Sequence, residues 1–337
     1  MTNNNDKVIA VTGSAGYIGV HLVKILLEKG YRVRALVRDP QDENKVGFLR
    51  NLDKSEKKLL EFGGGDLEKA DYKDLFQGCY SVIHVATPYV HTAPNPLEDI
   101  VKPAVNGTLR VLEAASQVST IKKLIITSSA GAVINSLNPN LQAEDVYNDE
   151  HWNLDSTVEN GPYFYSKVLA EQKAWEFHKE NQKNANSNHF ELSVINPGFI
   201  IGPSMTHNLN TSLKLVLRFM TEGAPIYPIR VGIVDVRDVA LAHVLVLESS
   251  TSNNQRYLVI NKVVQFKDLP LTAQKLFPQL QFNINPSLQE TKVKSWTVNT
   301  TKIQSLGLTK FIDFETTLKD MIDKFIEYKQ WNVTSNQ

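Results

Sequence analysis

The run VIAVTG (Val8–Gly13), followed at once by SAGYIGVHLVKILLEKG, constrains this chain more than any other stretch. Val8 to Val11 are continuously apolar and the run ends in glycine, the pattern of a strand buried on both faces. Ile18, Leu22, Ile25 and Leu26 then recur at helical spacing, and Gly30 stops the helix. Gly13, Gly16 and Gly19 stand three apart in the turn between them. Gly13 permits a sharp turn, Gly16 lets the backbone approach a pyrophosphate at the positive end of the helix, and Gly19 lets the helix pack closely on the sheet. In this strand–turn–helix context the triplet predicts a dinucleotide site, with Ala15, Tyr17 and Ile18 in its wall.

The same alternation continues. Strands are expected at Tyr31–Arg38, at KLLEF, at Ser81–Thr87, at Lys122–Ser129 and at Glu191–Gly202, with helices near Leu97–Ser116 and Tyr163–Glu180 between them. Strand, helix, strand in succession implies right-handed crossovers and an α/β, Rossmann-type doubly wound parallel sheet. After about residue 203 the rhythm changes to helices at SLKLVLRFMTEG, Asp238–Ser249 and Phe314–Glu327, with short strands such as RYLVI. Residues 1–203 are therefore expected to be mainly the dinucleotide domain. Residues 204–337 are expected to be mainly a smaller substrate-binding lobe, with segments returning to the sheet.

The end of the second strand selects the dinucleotide. An acid there would meet a free ribose 2′-hydroxyl. This chain instead has Val37 and Arg38, and a guanidinium forks onto a phosphate. The expected cofactor is NADP(H), with Arg38 on the 2′-phosphate. Lys45 in the following loop is a second candidate, and Arg34 lies on the same strand. Lys plus Arg and Asp plus Glu both number 36, so charge makes no case for nucleic acid or an acidic membrane. No apolar run approaches the roughly 20 residues of a membrane span, and the polar start lacks the order of a signal peptide, so a cytoplasmic location is expected. The single cysteine, Cys79, forms no internal disulfide. His84, His91, His151, His207 and His243 are scattered without ligand spacing, so no metal is expected.

The segment GPYFYSK (Gly161–Lys167) carries two tyrosines and one lysine. Pro162 suits the first position of a helix. Tyr163 and Lys167, four apart, then share a face, whereas Tyr165 points roughly the opposite way. An ammonium beside a phenol favours the phenolate, which makes the phenol a competent proton donor or acceptor near neutral pH. The strand LIITSSAG ends at the carboxyl edge of the sheet, where open α/β sheets bind ligands, and a serine there bonds a carbonyl oxygen.

Together with VRALVRDP, GDL (Gly65–Leu67), VIHVATP, KPAVNGTLRVLEA, TSSAGAV, DEHWN, YFYSKVLAEQKAWEF, NPGFIIGP, VDVRDVALAHVLVLE and TTKIQSLGL, these segments make nearly the whole chain resemble an extended short-chain dehydrogenase/reductase. The branch it resembles holds dihydroflavonol 4-reductase, cinnamoyl-CoA reductase and the fungal aldehyde and ketone reductases. The resemblance implies that Ser129 binds the substrate carbonyl, with Ser128 as the less favoured choice. It implies that Tyr163 delivers the proton, and that Lys167 bonds the nicotinamide ribose and lowers the tyrosine's pKa. Arg38 and Lys45 match 2′-phosphate contacts. Asp66 and Leu67 would flank the adenine, Val85, Ala86 and Thr87 the cofactor channel, and Pro197, Gly198 and Ile200 the nicotinamide end.

The implied reaction is hydride transfer from NADPH to an aldehyde or ketone. Dihydroflavonol reductases carry a substrate-binding asparagine where this chain has Ile134, with Asn135 next to it, and the cinnamoyl-CoA branch reads Asn-Trp-Tyr-Cys-Tyr-Gly-Lys where this chain reads GPYFYSK. Neither plant activity follows. Pocket walls are expected from Pro88–His91, Ile134 and the Met205–Leu217 region, with Tyr165 either pocket or core. Two alternatives fit the scaffold less well. An NAD-dependent sugar-nucleotide epimerase or dehydratase would want an acid near Val37–Arg38. A non-catalytic dinucleotide sensor has no use for a Ser–Tyr–Lys set.

Overall fold

A computed structural model describes residues 4–65, 70–86, 93–138, 141, 145–222, 229–284 and 295–331. The first strand, β1 (Val8–Thr12), leads into α1 (Tyr17–Glu28), β2 (Arg32–Val37), α2 (Glu43–Arg50), β3 (Leu60–Gly64), α3 (Tyr72–Phe76) and β4 (Ser81–His84). A π-helical turn, Leu97–Val101, runs into α4 (Lys102–Ser116), which is followed by β5 (Lys123–Thr127), a 3-10 turn at Ala130–Ala132, β6 (Val146–Tyr147), α5 (Pro162–Asn181) and β7 (Glu191–Pro197). Then come β8 (Phe199–Ile201), α6 (Thr211–Thr221), β9 (Arg230–Asp235), α7 (Val236–Glu248), β10 (Gln255–Val259), β11 (Lys262–Gln265), α8 (Asp268–Leu276), β12 (Thr297–Val298), α9 (Thr301–Ser305) and α10 (Phe314–Glu327).

Among the described residues the main sheet has seven strands in the order β10-β7-β5-β4-β1-β2-β3, and every pairing in it is parallel. The strand order reverses between β1 and β4, the topological switch point where such sheets bind ligands. Alternate residues divide between two cores, as the two-residue period of a strand requires. Ile9, Val11, Val33, Ile83, Ile125 and Ile195 pack with apolar residues of α1 and α7 on one face. Ala10, Leu36, Val82, Leu124, Ile126 and Val194 pack with Val111, Leu112 and Ala115 of α4 and Ala174 of α5 on the other.

The run Glu191–Gly202 is not one strand but two. It breaks at Gly198, where an added Cβ would stand 2.3 Å from the Gly232 carbonyl oxygen. Only glycine allows that approach. It sends β8 out of the main sheet to pair with β9 in a second, three-stranded sheet, β11-β9-β8. This sheet shares a third core with α6, α8 and α10.

Candidate active site

The glycine turn sits at the switch point. Gly13 has φ +68°, and a Cβ there would lie 2.9 Å from the Ala86 amide nitrogen. A Cβ on Gly19 would lie 2.1 Å from the Gly13 carbonyl oxygen, so the helix start rests directly on the turn. Gly16 is the N-cap of α1, with no side chain bonded to the free amides and no acid in the first turn. Those amides, with the helix dipole behind them, are the donors a phosphate needs. Thr12 fixes the neighbouring strand end. Its Oγ1 accepts from the Val85 and Ala86 amides at 3.2 and 3.1 Å and lies 2.8 Å from His84 Nδ1. The hydroxyl proton therefore goes to His84, whose Nδ1 is the acceptor. Burial first, and the Lys167 charge second, push the His84 imidazole down to about 3, so it is neutral.

Helix α5 begins at Pro162, which puts Tyr163 in the first turn and Lys167 one turn on. The Lys167 Nζ lies 5.6 Å from the Tyr163 ring centroid. The lysine is buried, which pushes its pKa from 10.5 down to about 8. Ser128 and Ser129 follow β5 at the carboxyl edge of the sheet, and the structure separates them. Ser128 Oγ donates to Glu171 Oε2 at 2.6 Å. Ser129 Oγ accepts from the Gly131 amide at 3.0 Å, a bond that leaves its own proton unspent.

These groups line one cavity of about 1210 Å³. The wall holds Gly13, Ala15, Gly16, Tyr17, Ile18, Arg38, Val85, Ala86, Ser128, Ser129, Tyr163, Lys167, Pro197, Gly198 and Ile200, together with Ile134 of the expected substrate pocket. Gly19 lies beneath the turn rather than in the wall. Lys45 is also outside the wall; its exposed ammonium pairs with Asp42 at 3.1 Å. Arg34 is committed to Glu61 at 2.7 Å and to the carbonyls of Leu75 and Gln77. Tyr165 is not among the wall residues, because α5 turns it away from the side that bears Tyr163 and Lys167. Asn135 is buried, its Oδ1 accepting from the Leu137 amide at 3.0 Å. Asp66, Leu67, Thr87, Pro88 and His91 lie outside the described residues.

The wall also contains residues the sequence did not single out. Phe164 lies against Gly131, where a Cβ would be 2.7 Å from its ring. Leu209, Leu215 and Phe219 arrive on or beside α6, within or next to the region expected to supply pocket walls. Phe266, Ile260 and Trp296 come from far along the chain, and no local pattern marks them as cavity residues. The switch-point turn, the uncapped helix start and Arg38 beyond the end of β2 fit a dinucleotide that carries a 2′-phosphate.

The family model that matches residues 9–260 is described as the NAD dependent epimerase/dehydratase family. Over 336 residues the chain is 34% identical to cinnamoyl-CoA reductase CAD2 of Medicago truncatula, covering 98% of this chain and 99% of that one. It is 36% identical to cinnamoyl-CoA reductase 1 of Arabidopsis thaliana over 327 residues, covering 94% and 88%. Among solved structures, the yeast methylglyoxal/isovaleraldehyde reductase Gre2 complexed with NADPH superposes with a TM-score of 0.82 at 27% identity, covering 96% of this chain and 99% of that one.

Proposed function

The chain belongs to the NAD dependent epimerase/dehydratase family, that is, to the extended short-chain dehydrogenases/reductases, and from that membership we propose how its residues act. It is an NADP-dependent oxidoreductase that reduces a carbonyl group. The observation that carries the residue roles is a single cavity reaching from the Gly13–Ile18 turn and Arg38 to Ser129, Tyr163 and Lys167.

Bound NADPH supplies a hydride to the carbonyl carbon. The uncapped amides of α1 would hold the pyrophosphate and Arg38 the 2′-phosphate. Ser129 donates its unspent hydroxyl proton as a hydrogen bond to the carbonyl oxygen, stabilising negative charge as it develops. Tyr163 transfers its phenolic proton to that oxygen, and the Lys167 ammonium stabilises the phenolate left behind. We assign the dinucleotide mainly to residues 1–203 and the substrate wall mainly to residues 204–337. A small-molecule aldehyde or ketone is the proposed substrate and the cytoplasm the proposed location. The sugar-nucleotide alternative is disfavoured by Val37–Arg38, where that chemistry would want an acid.

NADPH consumption, followed by absorbance over a panel of aldehydes, ketones and nucleotide sugars, tests the proposal. Wild type is expected to oxidise NADPH with carbonyl compounds. Tyr163→Phe is expected to bind NADPH while losing on the order of 100-fold or more in turnover. Unchanged turnover in Tyr163→Phe rejects it as the proton donor.

A further inference from the structure

Glu171 lies on α5 one turn beyond Lys167 and two beyond Tyr163, so all three share one side of the helix. Its side chain is buried and its carboxylate is crowded with donors. Oε2 accepts from Ser128 Oγ at 2.6 Å and from Asn196 Nδ2 at 2.7 Å. Oε1 accepts from Arg256 Nε at 2.5 Å and from Trp175 Nε1 at 3.4 Å. The donors come from the exit of β5, from β7, from β10 and from α5 itself, so one carboxylate ties the helix to three adjacent strands. The links run on into the proposed machinery. Asn196 Nδ2 also reaches the Ser129 carbonyl oxygen at 3.1 Å, which fixes the peptide that carries the Ser129 side chain. Arg256 is buried too. Its guanidinium carbon lies 3.8 Å from the Trp152 ring centroid, and its Nη1 donates to the carbonyls of Asp149 and His151.

Surface packing would not require a charge here. An ion pair buried this deeply is a poor source of stability, since desolvation offsets most of the attraction. What it does supply is geometry. Each bond has one acceptable direction, and the four together set the height of β5's exit against the first turns of α5. They also commit the Ser128 hydroxyl proton away from the cavity, so that of the two serines only Ser129 presents a donor to the substrate.

We propose that Glu171 is a positioning residue for carbonyl reduction: its carboxylate clamps Ser128, Asn196 and Arg256 so that Ser129 meets Tyr163 and Lys167 across the substrate oxygen. The proposal rests on the functional reading above and goes beyond it, since Glu171 itself is outside the cavity wall.

Wild type, Glu171→Gln and the double variant Glu171→Gln/Arg256→Gln are compared, each with NADPH. The single variant leaves the arginine's charge buried without its carboxylate and risks misfolding; the double variant removes both charges and keeps the side-chain volume close. Active sites are counted by NADPH binding, and kcat is expressed per binding site. Both variants are expected to hold NADPH within about threefold of wild type and to shift the carbonyl KM by less than about threefold, while kcat per site falls on the order of 10- to 100-fold, the scale of a misplacement near 1 Å. A double variant with wild-type kcat per site overturns the proposal. So does a loss that appears only as fewer NADPH-binding sites, because that is folding and not positioning. A wild type that binds NADPH but reduces no carbonyl overturns the functional reading as well, and is distinguished because the wild-type arm is itself silent.

Discussion

Lys167 holds its ammonium 5.6 Å from the centre of the Tyr163 ring while only 4% of the lysine is exposed. Burial brings its pKa down to about 8, so the charge proposed to support the phenolate titrates near that pH. Below about 8 the lysine is an ammonium; above it the support is lost. The kcat/KM for carbonyl reduction is therefore expected to fall as pH rises through about 8, and a flat pH–rate profile there would remove Lys167 from its assigned role. Folding responds with the opposite sign. Between about 8 and the unfolded value of 10.5 the unfolded chain holds a proton the folded chain has released, so stability rises with pH. Comparing denaturation midpoints of wild type and Lys167→Met across that window isolates the effect, and the variant should lack that part of the rise.

Arg38 lines the cavity just past Val37 at the end of β2. A charge-assisted contact to a phosphate contributes about 1.5–3 kcal/mol, which corresponds to roughly 10- to 100-fold in affinity. Arg38→Ala should weaken NADPH binding by that factor and leave NADH nearly unchanged. Titration of both dinucleotides measures it, and equal losses for the two would argue against a 2′-phosphate contact.

The two serines after β5 should respond differently. Ser129→Ala removes the proposed donor to the carbonyl, and a loss of about 100-fold in kcat is expected. Ser128→Ala removes one of four bonds to Glu171 and leaves the cavity donor in place, so its loss should be smaller by about tenfold or more. Steady-state kinetics of the pair decides between them; the reverse order would make Ser128 the carbonyl contact.

Acid should destabilise the fold before it attacks exposed carboxylates. Burial holds His84 near about 3, and His21 and His243 near about 4, all well under the usual 6.5. Each is neutral when folded, and the unfolded chain binds the extra proton as pH falls from about 6.5 to 4, so stability is lost across that window. Asp238, raised to about 6 by burial, works the other way between its usual 3.8 and 6, as does Asp149, which burial also raises, while His178, also lowered by burial, adds to the other histidines. The denaturation midpoint should fall with pH through this range, and His243→Gln should make the slope shallower.

Local spacing along the chain marks several of the cavity's features. The glycine triplet was legible because strand and helix flank it on both sides. The Tyr163–Lys167 pair was legible because helical geometry depends only on the interval between residues. Arg38 was legible because β2's end is marked by the end of its apolar run. Lys45 was not. Whether Lys45 reaches the cavity depends on how the loop after β2 folds back, and its ammonium turns to Asp42 instead. Tyr165 lies on the opposite arc of the helix, as its interval from Lys167 implied, and is absent from the cavity wall.

Sequence alone determined the alternation of strand and helix, the glycine turn, the arginine that follows the end of β2 and the shared face of one tyrosine and one lysine, since each depends on residues within a few positions of one another. Tertiary structure decided which serine is free. Ser128 and Ser129 are neighbours of the same chemistry. They are told apart only because Glu171, 43 positions on, and Asn196 and Arg256 beyond it converge behind β5 and claim one hydroxyl. The same holds for the cavity's far wall, where Ile260, Phe266 and Trp296 meet the site through packing between distant elements, which no interval in the chain records.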